Sequence, residues 1–209
     1  ELRKISKDLI DINKLNIFAE GDKVEVNSYV NIGKGGWAGK SQIIINNIFQ
    51  DKRHVTVDYS TDTGGDLNVE GDIDSAFVFT GKAAVAGSWF IPGTTSEIKK
   101  TDLQADITAN IKEGLKGISA KIYSDSTFFQ PPKMTRLVPI KLRGSLENGL
   151  VEISELSTHN HEQETINVSA AYNLDSMAIE RFNISSEQFS LRSGPHSIIV
   201  RDVSGTVDD

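Results

Sequence analysis

The sequence lacks cysteine altogether, and this absence excludes disulfide bonds and cysteine-based metal sites. It also lacks any apolar run approaching roughly 18 residues, so we expect no segment to cross a bilayer as a helix. The chain begins with Glu1-Leu2-Arg3 and has neither an initiator Met nor a signal peptide. We therefore expect any targeting or anchoring element to lie outside this sequence.

Positive charge and aromatic side chains are scarce. The 209 residues include 22 Lys and Arg against 29 Asp and Glu, which gives a formal net charge of −7. Proteins that bind nucleic acid neutralise phosphates with clustered basic residues, so this balance argues against a nucleic-acid partner. Hydrophobic residues make up 38% and aromatic residues 7%, which is low for a compact core and favours an open or elongated sheet.

The segment from Gly33 to Ser41 has the glycines of a phosphate-binding loop but not their spacing. Lys34 stands five residues before Gly39, where such a loop requires its first glycine. The residues after Ser41 are typical of a strand, whereas a phosphate-binding loop precedes a helix. We therefore predict a glycine-rich hairpin and no nucleotide.

No set of residues has the pattern of a metal site or a catalytic site. His159 and His161, with Glu162 and Glu164 beside them, offer ligand atoms, but a zinc site needs three or four converging ligands. The aspartates of segment 62–74 lack the alternating order of a calcium loop. Neither a nucleophile motif nor a paired acidic cleft is visible. We predict that the chain is not an enzyme and holds no metal or cofactor.

Apolar residues recur with a period of two through much of the chain, which is typical of strands with one covered face. Side chains alternate across a strand, so each such segment has one apolar and one polar face. The clearest runs are 24–32, 103–111, 118–122 and 166–174. Together they indicate roughly a dozen strands and an all-β fold.

Turn sequences separate these runs at short intervals. Glu147-Asn148-Gly149 is the strongest hairpin signal, because Asn-Gly favours the type I′ turn. We also predict tight turns at Thr63-Gly64-Gly65-Asp66 and at Glu70-Gly71-Asp72, and a break at Pro131-Pro132.

We divide the chain into a short lead segment, residues 1–18, and a sheet segment of a larger protein, residues 19–209. Leu2, Ile5, Leu9 and Ile12 follow the 3-4-3 spacing of a helix. Ile10 and Ile12 also alternate, so a short strand is the other interpretation of the lead segment.

The C-terminal third repeats a recognisable pattern. Residues 140–149 lead through an Asn-Gly turn into the alternating segment 151–156, and Val203-Ser204-Gly205-Thr206-Val207 begins the pattern again. This Gly-x-Leu-x-Asn-Gly motif followed by alternating strands resembles the AsmA/TamB-like family of bacterial envelope proteins. Val69-Glu70-Gly71-Asp72-Ile73 is a fainter echo upstream.

The resemblance implies an extended antiparallel sheet curled into a groove, a β-taco, with an aliphatic lining and no catalytic residues. It implies a segment of a bridge-like lipid-transfer protein that is anchored in the inner membrane and crosses the periplasm. Such a bridge moves phospholipids between the inner and outer membranes. The implied partners are phospholipid acyl chains, flanking segments of the same chain and an outer-membrane protein.

On this hypothesis the apolar side chains at alternating strand positions line the groove and face lipid. The candidates are Val24, Val26, Val30, Ile32, Ile107, Ile111, Ile140, Leu142, Val151, Ile153, Ile166, Val168, Tyr172, Phe182 and Ile184.

The same alternation fits a β-sandwich, in which two apolar faces meet without a ligand. The alternative function is then a binding or adhesion module of a surface protein, acting through its loops or edge strands. A third interpretation is an enzyme or accessory domain whose site is completed by other parts of the protein.

Overall fold

The described residues form thirteen strands and one short 3-10 segment at Ile111–Gly117. The computed structural model describes residues 10–32, 37–90, 97–130, 137–159, 164–193 and 196–208. The strands are β1 (Ile10–Glu20), β2 (Lys23–Ile32), β3 (Trp37–Asn46), β4 (Arg53–Thr61), β5 (Gly65–Ile73), β6 (Val78–Phe90), β7 (Glu97–Asn110), β8 (Ile118–Gln130), β9 (Val138–Glu147), β10 (Leu150–His159), β11 (Thr165–Asn173), β12 (Ala178–Ser193) and β13 (His196–Asp208).

All thirteen strands belong to one antiparallel sheet, and their order in the sheet is their order along the chain. Each strand pairs with the next, from β1 against β2 to β12 against β13. β1 and β13 do not pair with each other, so the sheet is not closed. The described strands therefore form a single sheet rather than the two facing sheets of the sandwich alternative.

The sheet curls, because side chains on strands that are not neighbours touch one another. The indole N–H of Trp37 on β3 donates to the carbonyl oxygen of Phe90 on β6, at 2.9 Å. These two strands are three positions apart, which is about 14 Å in a flat sheet. Val138 on β9 and Phe189 on β12, also three positions apart, pack together. The predicted all-β fold, an antiparallel sheet curled but not closed, is confirmed.

Two of the predicted turns are confirmed, and the third is wrong. Asn148 and Gly149 join β9 to β10 with φ angles of 52° and 80°, as a type I′ turn requires. Gly64, with φ of 88°, lies in the turn between β4 and β5. Glu70-Gly71-Asp72, in contrast, lies inside β5 and pairs with both neighbouring strands. Pro131-Pro132 lies outside the described residues.

The part of the lead segment that the structure describes is strand. Residues from Ile10 onward form β1, and Ile12 pairs with Val30 of β2. Leu2, Ile5 and Leu9 lie outside the described residues. For the described part of the lead segment, the strand interpretation is therefore the correct one.

Gly71 is a glycine because two strands approach each other closely at this position. It pairs with Gly81 across β5 and β6, and a Cβ atom on Gly81 would lie 2.7 Å from the Gly71 Cα and 2.3 Å from the Glu70 carbonyl oxygen. The Phe79 ring fills the space, with its Cζ 2.6 Å from that Cβ position. An aromatic ring laid over strand glycines restores packing that glycine itself cannot supply.

We predict that Gly81→Ala lowers the free energy of unfolding by about 1–3 kcal/mol, because the new methyl group must displace backbone and the Phe79 ring. Urea denaturation followed by circular dichroism measures the change. Gly205→Ala on β13 is the matched control, since its Cβ would meet only the Ile184 Cγ2, at 3.7 Å. Equal losses for the two variants would contradict the close approach.

Candidate functional site

The pairing register joins side chains of successive strands into continuous rows, because residues paired across two strands project from the same face of a sheet. One row takes an apolar residue or glycine from every strand from β1 to β12. This central row consists of Ile17, Val26, Ile43, Val57, Val69, Ala83, Ala105, Ile122, Gly144, Ile153, Ala170 and Phe182.

A second row runs beside the central row on the same face, two residues away on each strand and three residues away on β12, where the register shifts. With one exception, it also contains no polar side chain from β1 to β12. Its members are Ala19, Val24, Ile45, Val55, Gly71, Gly81, Ile107, Ala120, Leu146, Val151, Tyr172 and Ile179. Tyr172 is the exception in having a hydroxyl at its tip. We call the face that carries these two rows the apolar face.

The opposite face is polar and mixes both signs of charge. Glu70, Lys82, Asp106 and Lys121 follow one another across β5 to β8, with the charge alternating at each step. Oppositely charged residues placed directly across strands stabilise a sheet. The outer face therefore suits water, and the apolar face is the unusual surface of this molecule.

The apolar face is not covered by another layer of the described structure. Between β2 and β12, Ala105 is the only buried member of the central row, and the other side chains there are partly exposed. No helix or second sheet of the described residues packs against the two rows. A continuous apolar surface of this extent is rare on a protein that has no partner for it.

An aromatic cluster holds the curl in the first half of the sheet. Trp37 and Trp89 meet edge to face with ring centroids 5.0 Å apart, and Tyr59 packs against Trp89. The Tyr59 hydroxyl donates to the Trp37 carbonyl oxygen at 2.7 Å. Burial raises the pKa of the Tyr59 phenol, so it remains a protonated donor at neutral pH. All three rings lie on the apolar face, which makes that face concave.

The predicted lining residues lie on the apolar face, with one exception. The register places all of them except Ile111 in rows of this face. Ile111 follows the end of β7, in the 3-10 segment, and is 52% exposed. Strand β7 ends at Asn110, and Ile111 continues its apolar alternation beyond the end of the strand. The prediction therefore included a residue that the strand does not contain.

Sequence reasoning missed part of the lining and the aromatic cluster. Ile43, Ile45, Val55 and Val57 belong to the two rows, and their alternation in β3 and β4 was a readable signal. The meeting of Trp37, Tyr59 and Trp89 had no such signal, because it depends on the register of four strands, β3 to β6.

The structure describes only part of the candidate metal and nucleotide segments. His159 ends β10, whereas His161 and Glu162 lie outside the described residues. No group of three or more candidate metal ligands occurs among the residues that the structure describes. Residues 33–36 also lie outside them, and the following segment, Trp37–Asn46, is strand β3 rather than a helix.

An open depression of about 830 Å³ lies across β11, β12 and β13. Its lining is mainly polar and includes Glu164, Asn167 and Ser185, so it is not part of the apolar face. Among the described helical residues, none forms a segment with the length and hydropathy of a transmembrane helix.

Comparisons with protein-family models, with curated proteins and with solved structures found no match. The resemblance to the AsmA/TamB-like family therefore stays a prediction. The apolar face is the feature of the described structure that bears on function.

We predict that Tyr59→Phe lowers the free energy of unfolding by about 0.5–1.5 kcal/mol, because the Trp37 carbonyl loses its buried donor. Urea denaturation followed by tryptophan fluorescence measures the change, since Trp37 and Trp89 lie in the cluster. Tyr29→Phe is the control on the polar face, where the lost bond to exposed Asp62 is replaced by water. A larger effect for Tyr29→Phe would contradict a stabilising role of the cluster.

Proposed function

We propose that this chain is a non-enzymatic groove segment that holds phospholipid acyl chains along its apolar face. In the fuller form of the proposal, it belongs to a periplasmic bridge that moves phospholipids between the inner and outer membranes. The observation that carries the proposal is the central row, an apolar track that runs from β1 to β12 and that no other layer of the described residues covers.

Hydrocarbon is the ligand whose chemistry best matches this face. Transfer of acyl chains from water to an apolar surface gains up to about 0.8 kcal/mol for each methylene that is fully buried. The two rows contain no charged side chain, so no head group is fixed at one place along them. Many weak contacts of similar strength favour a ligand that is held and can also slide.

The open edges support a role as one segment of a longer track. The central row begins at Ile17 on β1 and reaches Phe182 on β12, next to the edge strand β13, and among the described residues no further strand pairs with β1 or β13. A further strand that paired with either edge would extend the row without rearranging the sheet. Flanking segments of the same chain are the partners that we propose for these edges.

The polar face of the sheet is suited to contact with water. Its ladder of alternating charges and the net charge of −7 favour solubility. The sheet would therefore shield acyl chains on one side while its other side remains in an aqueous compartment, as a periplasmic location requires.

The decisive experiment is lipid extraction and native mass spectrometry on the purified protein and on Ile107→Asp/Val168→Asp. The two substitutions place carboxylates on the apolar face, where an acyl chain would have to desolvate them. We expect phospholipid to co-purify with the wild-type protein and to fall by roughly tenfold or more in the variant.

Thr108→Asp/Asn167→Asp is the matched control, since it adds the same charges to exposed neighbouring positions of the same strands. This control should keep its lipid, and circular dichroism should show both variants folded. A wild-type protein that carries no lipid and takes up none from added phospholipid would refute the proposal and favour the binding or adhesion module.

A further inference from the structure

Among the described residues, the large apolar side chains that are most exposed lie on the edge strands or at the ends of strands. Five belong to the two edge strands, and five lie in or beside turns. The edge-strand group consists of Ile12, Leu15, Ile17, Phe18 and Ile199, and the turn group of Phe49, Phe77, Ile111, Met177 and Ile179.

The turn group lies at one end of the strands. In a sequential antiparallel sheet every second connection lies at the same end, so the connections β3–β4, β5–β6, β7–β8 and β11–β12 share an end. Phe49, Phe77, Ile111 and Met177 lie one in each of these connections, and Ile179 lies beside the last. We call this border, formed by residues 47–52, 74–77, 111–117 and 174–179, the turn lip.

Two polar contacts join three of the four parts of the turn lip, residues 74–77, 111–117 and 174–179. The Ile111 amide donates to the Phe77 carbonyl oxygen at 3.1 Å, which joins two adjacent turns. Lys116 pairs with Asp175 at 2.9 Å, which ties the β7–β8 connection to the β11–β12 connection. The lip is thus an ordered edge of the curled sheet.

Phe77 and Met177 occupy positions that disfavour them in two separate ways. Their φ angles are 66° and 55°, in the left-handed region where glycine and asparagine are the favoured residues. Both side chains are also exposed, Phe77 by 48% and Met177 by 72%. Neither property benefits the fold, so the presence of these side chains points to a role outside stability.

The lip is continuous with the apolar face from β5 to β8. There Ile73, Phe79, Ala109 and Ile118 form a short row between the second row of that face and the turns, and the row ends on β4 at Arg53, which pairs with Ile73. Apolar surface therefore extends from the floor of the groove to Phe77 at its border. A hydrocarbon chain crossing this border would stay in contact with apolar side chains.

We propose that the turn lip inserts its apolar side chains into the surface of a lipid bilayer, where lipid enters or leaves the groove. This inference rests on the proposed function, because a lipid carrier must exchange its cargo with a bilayer. The exposed apolar side chains of the lip are spread over four connections, so the lip presents a line of separate apolar points rather than one flat patch. Points of this kind fit between lipid head groups, whereas a protein partner favours a contiguous, complementary surface.

Charge at the lip indicates that insertion depends on apolar contact rather than on attraction to anionic lipid. The acidic residues Asp51, Asp74, Glu113 and Asp175 offset the basic residues Lys52, Lys112 and Lys116. Lys112 places its ammonium group 4.9 Å from the Phe77 ring centroid, an arrangement that leaves the charge near the head groups when the ring inserts. Binding should therefore occur on phosphatidylcholine vesicles and persist at about 0.5 M salt.

The test is flotation of the protein with phosphatidylcholine vesicles, comparing wild type with Phe77→Asn/Met177→Asn. We expect the vesicle-bound fraction to fall by roughly tenfold or more in this lip variant. Asparagine suits a positive φ, so we expect the melting temperature of the variant to stay level or to rise by about 2–4 °C. Loss of binding together with equal or higher stability cannot be explained by unfolding.

Leu15→Thr/Ile199→Thr is the matched control, since it removes two exposed apolar side chains from the edge strands and leaves the lip intact. This control should float as the wild type does. A lip variant that floats like the wild type would overturn the proposal. An equal loss of flotation in the control would also overturn it. So would a wild-type protein that is a dimer and a lip variant that is a monomer but floats as the wild type does, because the lip would then bind a second copy of the chain.

Native mass spectrometry of co-purified lipid on the same samples separates the two proposals. A wild-type protein that carries lipid but does not float refutes the role of the lip and leaves the groove intact. A protein that floats through its lip but carries no lipid refutes the groove instead.

Discussion

The structure depends on strand register, because a slip of one residue would exchange the apolar and polar faces of a strand. The register of every strand from β1 to β12 must match that of its neighbours for the central row to be continuous. Where a bulge shifts the register, the spacing of the apolar residues changes with it. On β10 the apolar face takes Val151 and Ile153 before a bulge and Leu156 after it. The spacing of the apolar residues changes from two to three at the bulge, so the same face stays apolar.

Curvature is the second requirement, and glycines and aromatic rings supply it together. On the concave side of a curled sheet the side chains converge, so positions with no side chain allow close approach. Gly65 takes the Trp89 ring directly above it, with ring atoms 2.5 Å from where a Cβ would lie. The Phe79 ring lies over Gly71 and Gly81 in the same way. The scarcity of aromatic residues in the sequence is consistent with their use at a few such contacts rather than throughout a core.

Local patterns in the sequence predict the strands and their faces well, because alternation and Asn-Gly turns are written within a few residues. The glycine of Glu70-Gly71-Asp72 was misread as a turn, since nothing local separates a turn glycine from one that permits close approach of two strands. The aromatic cluster and the turn lip depend on where distant segments come together. Phe77 and Met177 are 100 residues apart in the sequence, and only the sequential order of the strands brings them to one border.

That sequential order has a consequence for how the molecule can change in size. Each inner strand pairs with its two neighbours along its length, so the sheet resembles a one-dimensional stack in which stability accumulates mainly from nearest-neighbour terms. Contacts such as that between Trp37 and Trp89 add terms between strands three positions apart. Inserting or deleting one hairpin would lengthen or shorten the track by about 10 Å and leave the topology of all the other strands unchanged. Duplication of hairpins thus offers evolution a direct way to fit the length of such a sheet to the distance it has to cover.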